Sequence, residues 1–187
     1  MKVIPTELKE VLLIEPDRFE DHRGFFMESY NLDRYARYGI DVAFVQDNLS
    51  CSVAGTIRGL HYQYPHTQEK LVWVAMGEVY DVVVDVRVGS PTFGRWVGIA
   101  LSAQNGRQVF VPKGFAHGFK VVSDRAVFVY KCGDYYHSEA DRTVLWSDPD
   151  LGIDWGIKAP LLSEKDASAP PLKEIPRECL PAYGNLR

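Results

Sequence analysis

The chain has 187 residues, of which 46% are hydrophobic and 25% charged, a composition typical of one globular domain with a sizeable core. Its net charge of -4 argues against a nucleic-acid-binding surface, because such surfaces are basic, while a small anionic ligand needs only a few local cations. The 3 cysteines lack metal-ligand spacing, which argues against a disulfide framework and a zinc knot. Neither a signal peptide nor an apolar stretch of ~20 residues is visible, so we expect a cytoplasmic protein without membrane contact.

Most of the chain alternates apolar and polar residues with the period of β-strands, beginning with a short apolar run at residues 11–14. Residues 31–39 are predicted to form a short helix, because Asn31 can cap its start and Gly39 can end it. Gly77 marks a candidate tight hairpin between two strands. Further strand patterns begin at Val42, Thr56, Lys70, Glu78, Arg95, Arg107, His117, Arg125 and Thr143.

About ten short strands separated by Gly and Pro turns predict an all-β sandwich or barrel. Residues 78–87 are apolar on both faces, which favours a barrel in which one sheet packs on a partner subunit. The proline-rich residues 160–187 predict a turn or short helix around 161–167, followed by an extended arm on the barrel or on a neighbour. No repeat or second domain is visible, so residues 1–187 are expected to form a single domain.

Three basic residues lie in or beside predicted strands, and they are Arg58, His61 and Lys70. A lone histidine is usually structural, but barrel interiors do not normally hold several cations without an anionic guest. Strict alternation would place Arg58 and His61 on opposite faces. A bulge at Gly59 would bring them together, and a position of Arg58 near the rim is the alternative.

Two further strand residues have both a structural and a chemical interpretation. His117 lies in the segment PKGFAHGF, at the entry to a strand, and its role stays open. Tyr130 shares a strand face with Phe128, so packing is its ordinary role. Near a histidine and a lysine, however, its hydroxyl could exchange a proton with a carbon acid.

Two clusters of polar residues precede these strands in the sequence. Arg23 and Glu28 flank two adjacent phenylalanines, and Arg23 is either a solvated turn residue or a phosphate ligand. Gln46, Asp47 and Asn48 form a polar cluster that suits hydrogen bonding to a base or a sugar. An edge strand or a turn would explain the same cluster.

Two histidines on a small β-barrel raise the question of a metal. The jelly-roll proteins called cupins, which the chain resembles, often bind metal through two histidines separated by one residue. Here the corresponding segment is His61-Tyr62-Gln63. Gln63 is a poor ligand for a transition metal, so the sequence predicts no metal site there.

The chain is most similar to the dTDP-4-dehydrorhamnose 3,5-epimerase family, a metal-free branch of the cupins. The resemblance spans nearly the whole chain and is most specific in RGLH at 58–61, PKGFAHGF at 112–119 and SEKDA at 163–167. It implies a cupin-type jelly-roll, a double-stranded β-barrel with short helical segments and a C-terminal arm. It also implies a homodimer in which strands from residues 1–30 are exchanged between subunits, and no cofactor.

The resemblance also implies roles for individual residues. His61 matches the general base, Asp166 the carboxylate that orients it, and Tyr130 the acid on the opposite face of the sugar. Lys70 matches the cation beside the developing enolate. Substrate or nucleotide contacts are implied for Arg23, Glu28, Gln46, Asp47, Asn48, Arg58, His117, Asp141 and Lys165.

The implied reaction is epimerisation at carbons 3 and 5 of dTDP-4-dehydro-6-deoxy-D-glucose, which gives dTDP-4-dehydro-L-rhamnose. Both carbons are α to the 4-keto group, so loss of a proton gives an enolate that a positioned cation would stabilise. Three alternatives stay open. They are an epimerase that acts on carbon 3 or carbon 5 alone, a metal-dependent cupin enzyme that uses His61 and His117, and a non-catalytic protein that binds sugar nucleotides.

Overall fold

The computed structural model describes residues 1–185, which form mainly antiparallel β-strands with two short helices, α1 (Leu32–Ala36) and α2 (Glu164–Ala167). None of the helices in these residues is long and apolar enough to cross a membrane. The strands are β1 (Lys2–Pro5), β2 (Leu12–Glu15), β3 (Arg18–Asp21), β4 (Gly24–Met27), β5 (Gln46–Val53), β6 (Ile57–Gln63), β7 (Lys70–Met76), β8 (Glu78–Asp85), β9 (Trp96–Ser102), β10 (Gln108–Val111), β11 (Phe115–Val121), β12 (Arg125–Cys132) and β13 (Asp141–Thr143).

Two antiparallel sheets supply the walls of a barrel. One has the strand order β1-β2-β10-β7-β12-β5 and the other the order β13-β6-β11-β8-β9. Side chains from both sheets, among them Val72, Val83, Phe119 and Phe128, form one buried apolar cluster. Alternate residues of each strand point into this cluster, as the period of two requires. The predicted all-β jelly-roll barrel is therefore confirmed.

Strand β6 carries the predicted bulge. His117 of β11 lies opposite His61 and Phe119 lies opposite Arg58, so three steps along β6 match two along β11. The extra residue gives Arg58 and His61 the same orientation, and both line one cavity. Gly59 has a φ of +114°, and a Cβ there would lie 2.6 Å from the Cα of Gly118. The close approach of β6 and β11 thus requires glycine.

The predicted hairpin at Gly77 is wrong. Strands β7 and β8 belong to different sheets, and the chain crosses from one sheet to the other at this residue. Gly77 has a φ of +80°, and a Cβ there would lie 2.1 Å from the carbonyl oxygen of Arg125. A positive φ in a short connection therefore marks a corner between two sheets here, and not a turn within one sheet.

The outer face of β8 is covered by the C-terminal arm of the same chain. Val82 and Val84 pack in one buried cluster with Leu172, Ile175 and Leu180. The prediction that a partner subunit covers this face is therefore wrong, because intrachain contacts explain why β8 is apolar on both sides. The predicted arm is confirmed, and it lies on its own barrel.

Both predicted helical segments are present. The side chain of Asn31 caps α1 by accepting a hydrogen bond from the backbone N–H of Arg34. The hydroxyl of Ser163 caps α2 by accepting one from the backbone N–H of Asp166. Because α2 packs against β6, its buried Asp166 comes close to the strand that carries His61.

The strand predicted from Thr143 onward is wrong, since β13 ends at this residue.

The N-terminal strands β1 and β3 lie outside the predicted patterns. Strand β1 pairs with β2, and β2 pairs with β10 of the same chain, whereas β3 and β4 form a hairpin that joins neither sheet. The hairpin residues Phe19, Phe25 and Phe26 are 64%, 52% and 70% exposed. Among the strands predicted to exchange between subunits, β3 and β4 alone join neither of the two large sheets within residues 1–185. Strand exchange itself stays a prediction.

Candidate active site

A polar cavity opens between the two sheets, and three residues, His61, Lys70 and Tyr130, line both its inner and its outer part. The inner part has a volume of about 170 Å³ and the outer part about 140 Å³. The inner part is also lined by Ser50, Arg58, His117 and Phe128. The outer part is also lined by Gln46, Asn48, Gln63, Gln68, Cys132, Tyr136, Asp141 and Lys165.

His61 and Asp166 form a hydrogen-bonded pair at this cavity. The His61 Nε2 and Asp166 Oδ1 atoms lie 2.6 Å apart, and the backbone N–H of Gly59 donates to the other carboxylate oxygen at 3.4 Å. Burial acts to raise the pKa of Asp166. The hydrogen bond to His61, the charge of His61 and the hydrogen bonds from Gly59 and Ser163 outweigh burial, so the pKa of Asp166 lies below its usual value. An ionised Asp166 fixes the imidazole orientation and leaves Nδ1 free to exchange a proton.

A second histidine–carboxylate pair lies deeper in the barrel. The His117 Nε2 and Asp81 Oδ2 atoms are 2.8 Å apart, and both side chains are buried. Asp81 was not among the predicted site residues. A signal for Asp81 was present in the sequence, since its carboxylate shares the inner face of β8 with Val79 and Val83. A charge buried among apolar residues requires a partner, which points to a site. The Asp81 Oδ1 atom has no hydrogen-bond partner among residues 1–185.

Lys70 is a cation without a counter-ion among residues 1–185. Burial lowers the pKa of its ammonium, and the charges of Cys132, Asp141 and Asp81 only partly oppose that shift. Its ammonium makes no hydrogen bond or ion pair with the described residues. A negative charge that develops in the cavity would therefore be stabilised by Lys70.

Tyr130 stands on the wall opposite His61, since β12 and β6 belong to different sheets. Burial raises the pKa of the Tyr130 phenol, and the Arg58 guanidinium acts in the opposite direction. The phenol therefore stays protonated and can act as an acid. Its hydroxyl has no hydrogen-bond partner within the part of the chain that the structure describes. A ring held between the two sheets would have the imidazole on one side and the phenol on the other.

The other predicted residues around the cavity form a network of polar side chains. Asp141 accepts a hydrogen bond from the Tyr136 hydroxyl at 3.1 Å and forms an ion pair with Lys165. Gln46 donates to the side-chain oxygen of Asn48 at 3.0 Å. Arg58, which also lines the cavity, donates through Nε to the hydroxyl of Ser52 at 2.9 Å. Two oppositely charged residues and two amides thus meet at the rim of a cavity that also contains the Arg58 guanidinium and the Lys70 ammonium.

The structure places three of the predicted residues outside this cavity. Arg23 forms an ion pair with Asp21 on the exposed β3–β4 hairpin. Glu28 forms an ion pair with Arg34 of α1 at 3.2 Å. Asp47 points away from the cavity, and its carboxylate lies 2.9 Å from the ammonium of Lys131. Within one chain these residues do not reach the groups around His61.

Comparison with known proteins shows which family the chain resembles. Residues 5–174 match the model of the family described as dTDP-4-dehydrorhamnose 3,5-epimerase. A relative with that name from Shigella flexneri is 54% identical over 168 residues, which are 89% of this chain and 93% of the relative.

Solved structures give the same result. The dTDP-6-deoxy-D-glucose-3,5-epimerase of Legionella pneumophila, in complex with dTDP-4-keto-L-rhamnose, has a TM-score of 0.95 and 53% identity, with 97% of this chain and 98% of that chain covered. A 3′-monoepimerase from Streptomyces bikiniensis, in complex with dTDP-quinovose, has a TM-score of 0.90 and 37% identity, with 96% and 92% covered. Since the family match spans residues 5–174 and about half of the aligned residues are identical to those of the first two relatives, the chain belongs to the dTDP-4-dehydrorhamnose 3,5-epimerase family.

Proposed function

We propose that the chain epimerises carbons 3 and 5 of dTDP-4-dehydro-6-deoxy-D-glucose, which gives dTDP-4-dehydro-L-rhamnose. One observation carries the proposal: His61, oriented by Asp166, and Tyr130 stand on opposite walls of one cavity that also contains Lys70. Inversion of a carbon α to a ketone requires this set, which is a base on one face, an acid on the other and a cation near the carbonyl oxygen.

The first step is removal of a proton by His61. The C–H bond at carbon 3 or 5 breaks, its proton moves to the free Nδ1, and its electron pair forms the enolate whose charge rests on oxygen 4. The Asp166 carboxylate, 2.6 Å from Nε2, stabilises the imidazolium that results. Positioned general bases of this kind typically contribute about 10²–10⁴-fold to a rate.

Lys70 stabilises the enolate between the two proton transfers. The enolate has one more negative charge than the ketone, and the unpaired ammonium of Lys70 gains an interaction that it lacks in the ground state. Charge stabilisation of this kind raises the turnover rate because it is stronger in the transition state than in the bound substrate.

Tyr130 completes the inversion from the opposite wall. The Tyr130 phenol gives its proton to the carbon, the enolate returns to the ketone, and the tyrosinate regains a proton from solvent while His61 releases its own. We assign substrate contacts to Arg58 and His117 in the inner part of the cavity. Contacts at the rim are assigned to Gln46, Asn48, Asp141 and Lys165.

We further propose that the working enzyme is a homodimer. The exposed aromatic hairpin β3–β4 joins no sheet of its own chain, and Leu49 and Val53 on the edge strand β5 are also exposed apolar residues. In a dimer, Arg23 and Glu28 would contact the nucleotide in the partner's cavity. Light scattering should give twice the chain mass of 21.2 kDa at micromolar concentration, and a mass of 21.2 kDa would refute the dimer.

Proton NMR of the substrate in heavy water tests the proposed reaction. The account predicts deuterium at both carbon 3 and carbon 5, together with the signals of the L-rhamno product. Deuterium at a single carbon would instead support a single-centre epimerase. That second candidate is favoured by the similarity to the Streptomyces bikiniensis 3′-monoepimerase, which has the same fold.

Two results of the same experiment would favour other functions. Absence of exchange would indicate a protein that only binds the sugar nucleotide. Exchange that requires a divalent ion would favour a metal-dependent cupin enzyme, although the Nε2 atoms of His61 and His117 are each hydrogen-bonded to a carboxylate. The cytoplasmic location and the lack of nucleic-acid or membrane partners stay predictions.

A further inference from the structure

We propose that His66, His137 and Glu139 bind one divalent transition-metal ion, such as Zn²⁺, beside the cavity. Each residue offers one ligand atom, and these atoms all lie within 4.8 Å of one another. Two imidazoles and one carboxylate form a ligand set that zinc accepts in proteins, and a water molecule can complete its coordination. None of the three residues lines either part of the active-site cavity.

A buried glutamine holds the two histidine segments together. Gln63, which is only 6% exposed, donates its side-chain N–H to the carbonyl oxygen of His66 at 2.8 Å. The same amide accepts a hydrogen bond from the backbone N–H of His137 at 2.8 Å. The two segments are far apart in sequence, so this double contact fixes the relative position of both ligands before any ion binds. Such preorganisation reduces the entropy that ion binding would otherwise lose.

The side chains are already close to the arrangement that an ion requires. The two imidazole rings stack with 4.0 Å between their centroids and an angle of 16° between their planes. The His137 Nδ1 atom lies 3.4 Å from the Glu139 Oε1 atom. Rotation of these partly solvent-accessible side chains can bring nitrogen and oxygen atoms to the distances of about 2.0–2.2 Å that zinc prefers.

The position of the site predicts its effect. The segment around His137 also carries Tyr136, which lines the cavity and donates a hydrogen bond to Asp141. An ion bound to His66 and His137 would join two segments at the cavity rim, in addition to the contact through Gln63. The ion would therefore stabilise the rim without taking part in the proton transfers of His61 and Tyr130.

Isothermal titration of the chelator-treated, full-length protein with ZnCl₂ tests the site. We expect saturable binding of one ion per chain. The variants His66→Gln and His137→Gln should each weaken this binding by at least about 100-fold, since even outer-shell partners of a metal contribute about 10–100-fold. The matched control is His22→Gln, because His22 is an exposed histidine on the β3–β4 hairpin. Its binding should equal that of the parent.

Two further measurements separate this site from the catalytic histidines and from damage to the fold. The variants His61→Gln and His117→Gln should keep the zinc affinity of the parent if the ion binds outside the cavity, and a loss of zinc binding in either variant would overturn the proposal. The variants His66→Gln and His137→Gln should melt at the parent temperature without zinc, whereas zinc should raise the melting temperature of the parent and of His22→Gln but not of these two variants. Absence of saturable binding, or binding that persists in a His66→Gln/His137→Gln double variant, would also overturn it.

Discussion

Two buried polar networks lie in the same barrel and differ in how completely their hydrogen bonds are satisfied. Around Asp85, the carboxylate accepts hydrogen bonds from the backbone and guanidinium of Arg87 at 2.8–2.9 Å and from the hydroxyls of Ser90 and Thr92 at 2.5 and 2.6 Å. Arg87 also pairs with Glu10 and lies over the ring of Phe115. Every polar group of this network therefore has a partner.

The catalytic network leaves several groups open. Lys70 and the Tyr130 hydroxyl lack partners among residues 1–185, and so does the Asp81 Oδ1 atom, while His61 uses only Nε2. Of these groups the Asp81 Oδ1 atom is fully buried, and a buried polar atom without a partner typically costs about 1–3 kcal/mol, so proteins retain few of them. The Asp85 network therefore stabilises the fold. The cavity instead keeps groups that lack a partner among the described residues, and a bound substrate can supply those partners.

The largest effect on activity is expected from the catalytic network. Replacement of His61 by alanine, His61→Ala, should reduce exchange at both carbons by about 10²–10⁴-fold, or about 2.7–5.5 kcal/mol, because no other described group is placed to form the enolate. Deuterium incorporation measured by NMR checks this. The control His66→Ala, at a histidine that lines neither part of the cavity, should exchange at the parent rate, and a similar loss in that control would argue against a specific role for His61.

The largest effect on stability is expected from the network around Asp85. Arg87→Ala leaves the Asp85 carboxylate buried without its cation, so the free energy of unfolding should fall by about 3–5 kcal/mol. Urea unfolding measures this. The control Lys173→Ala removes an exposed, solvent-screened ion pair with Asp150 and should leave the free energy of unfolding nearly unchanged. Equal losses in both variants would contradict the assignment of Arg87 to the stabilising network.

The pH dependence of the free energy of unfolding should also show that the Asp85 network stabilises the fold. Burial acts to raise the pKa of Asp85, but the hydrogen bonds from Arg87, Ser90 and Thr92 outweigh it and hold the pKa below 3.8. A depressed folded-state pKa contributes stability that is present above the unfolded value and is lost as pH falls through the folded value. The stability difference between the parent and Asp85→Asn should therefore shrink as pH is lowered from about 5 toward 2. A difference that stays constant over that range would contradict the assignment.

The smallest effect is expected from metal removal. The proposed proton transfers use only protein side chains, and the site at His66 and His137 lies outside the cavity. Treatment with a chelator should therefore leave the epimerisation rate unchanged within experimental error. A rate that vanishes and returns only with a divalent ion would contradict the metal-independent reaction.

Sequence reasoning found those parts of the site that depend on local patterns or on the family motifs. A bulge at Gly59 was one of the two expected ways to accommodate Arg58 and His61 in one strand, and the structure has it. The cap at Ser163 lies in the segment that carries Asp166. Family motifs then located Tyr130 and Lys70, whose side chains line the same cavity.

The remaining features depend on contacts between distant segments. Asp81 was missed because its partner, His117, is 36 residues away on another strand. The corner at Gly77 resembles a hairpin in sequence, because the same glycine chemistry serves both. The outer face of β8 was assigned to a partner because nothing in its own sequence shows that Leu172 and Ile175 return to cover it.

The most direct test of the two-wall arrangement is Tyr130→Phe followed by NMR in heavy water. This variant keeps the ring and its packing and removes only the proposed acid. We predict that deuterium still enters carbons 3 and 5 through His61, which can return a solvent proton to the face it attacked. Formation of the inverted product should fall by about 10²-fold or more. A Tyr130→Phe enzyme that inverts both centres at the parent rate would contradict the account.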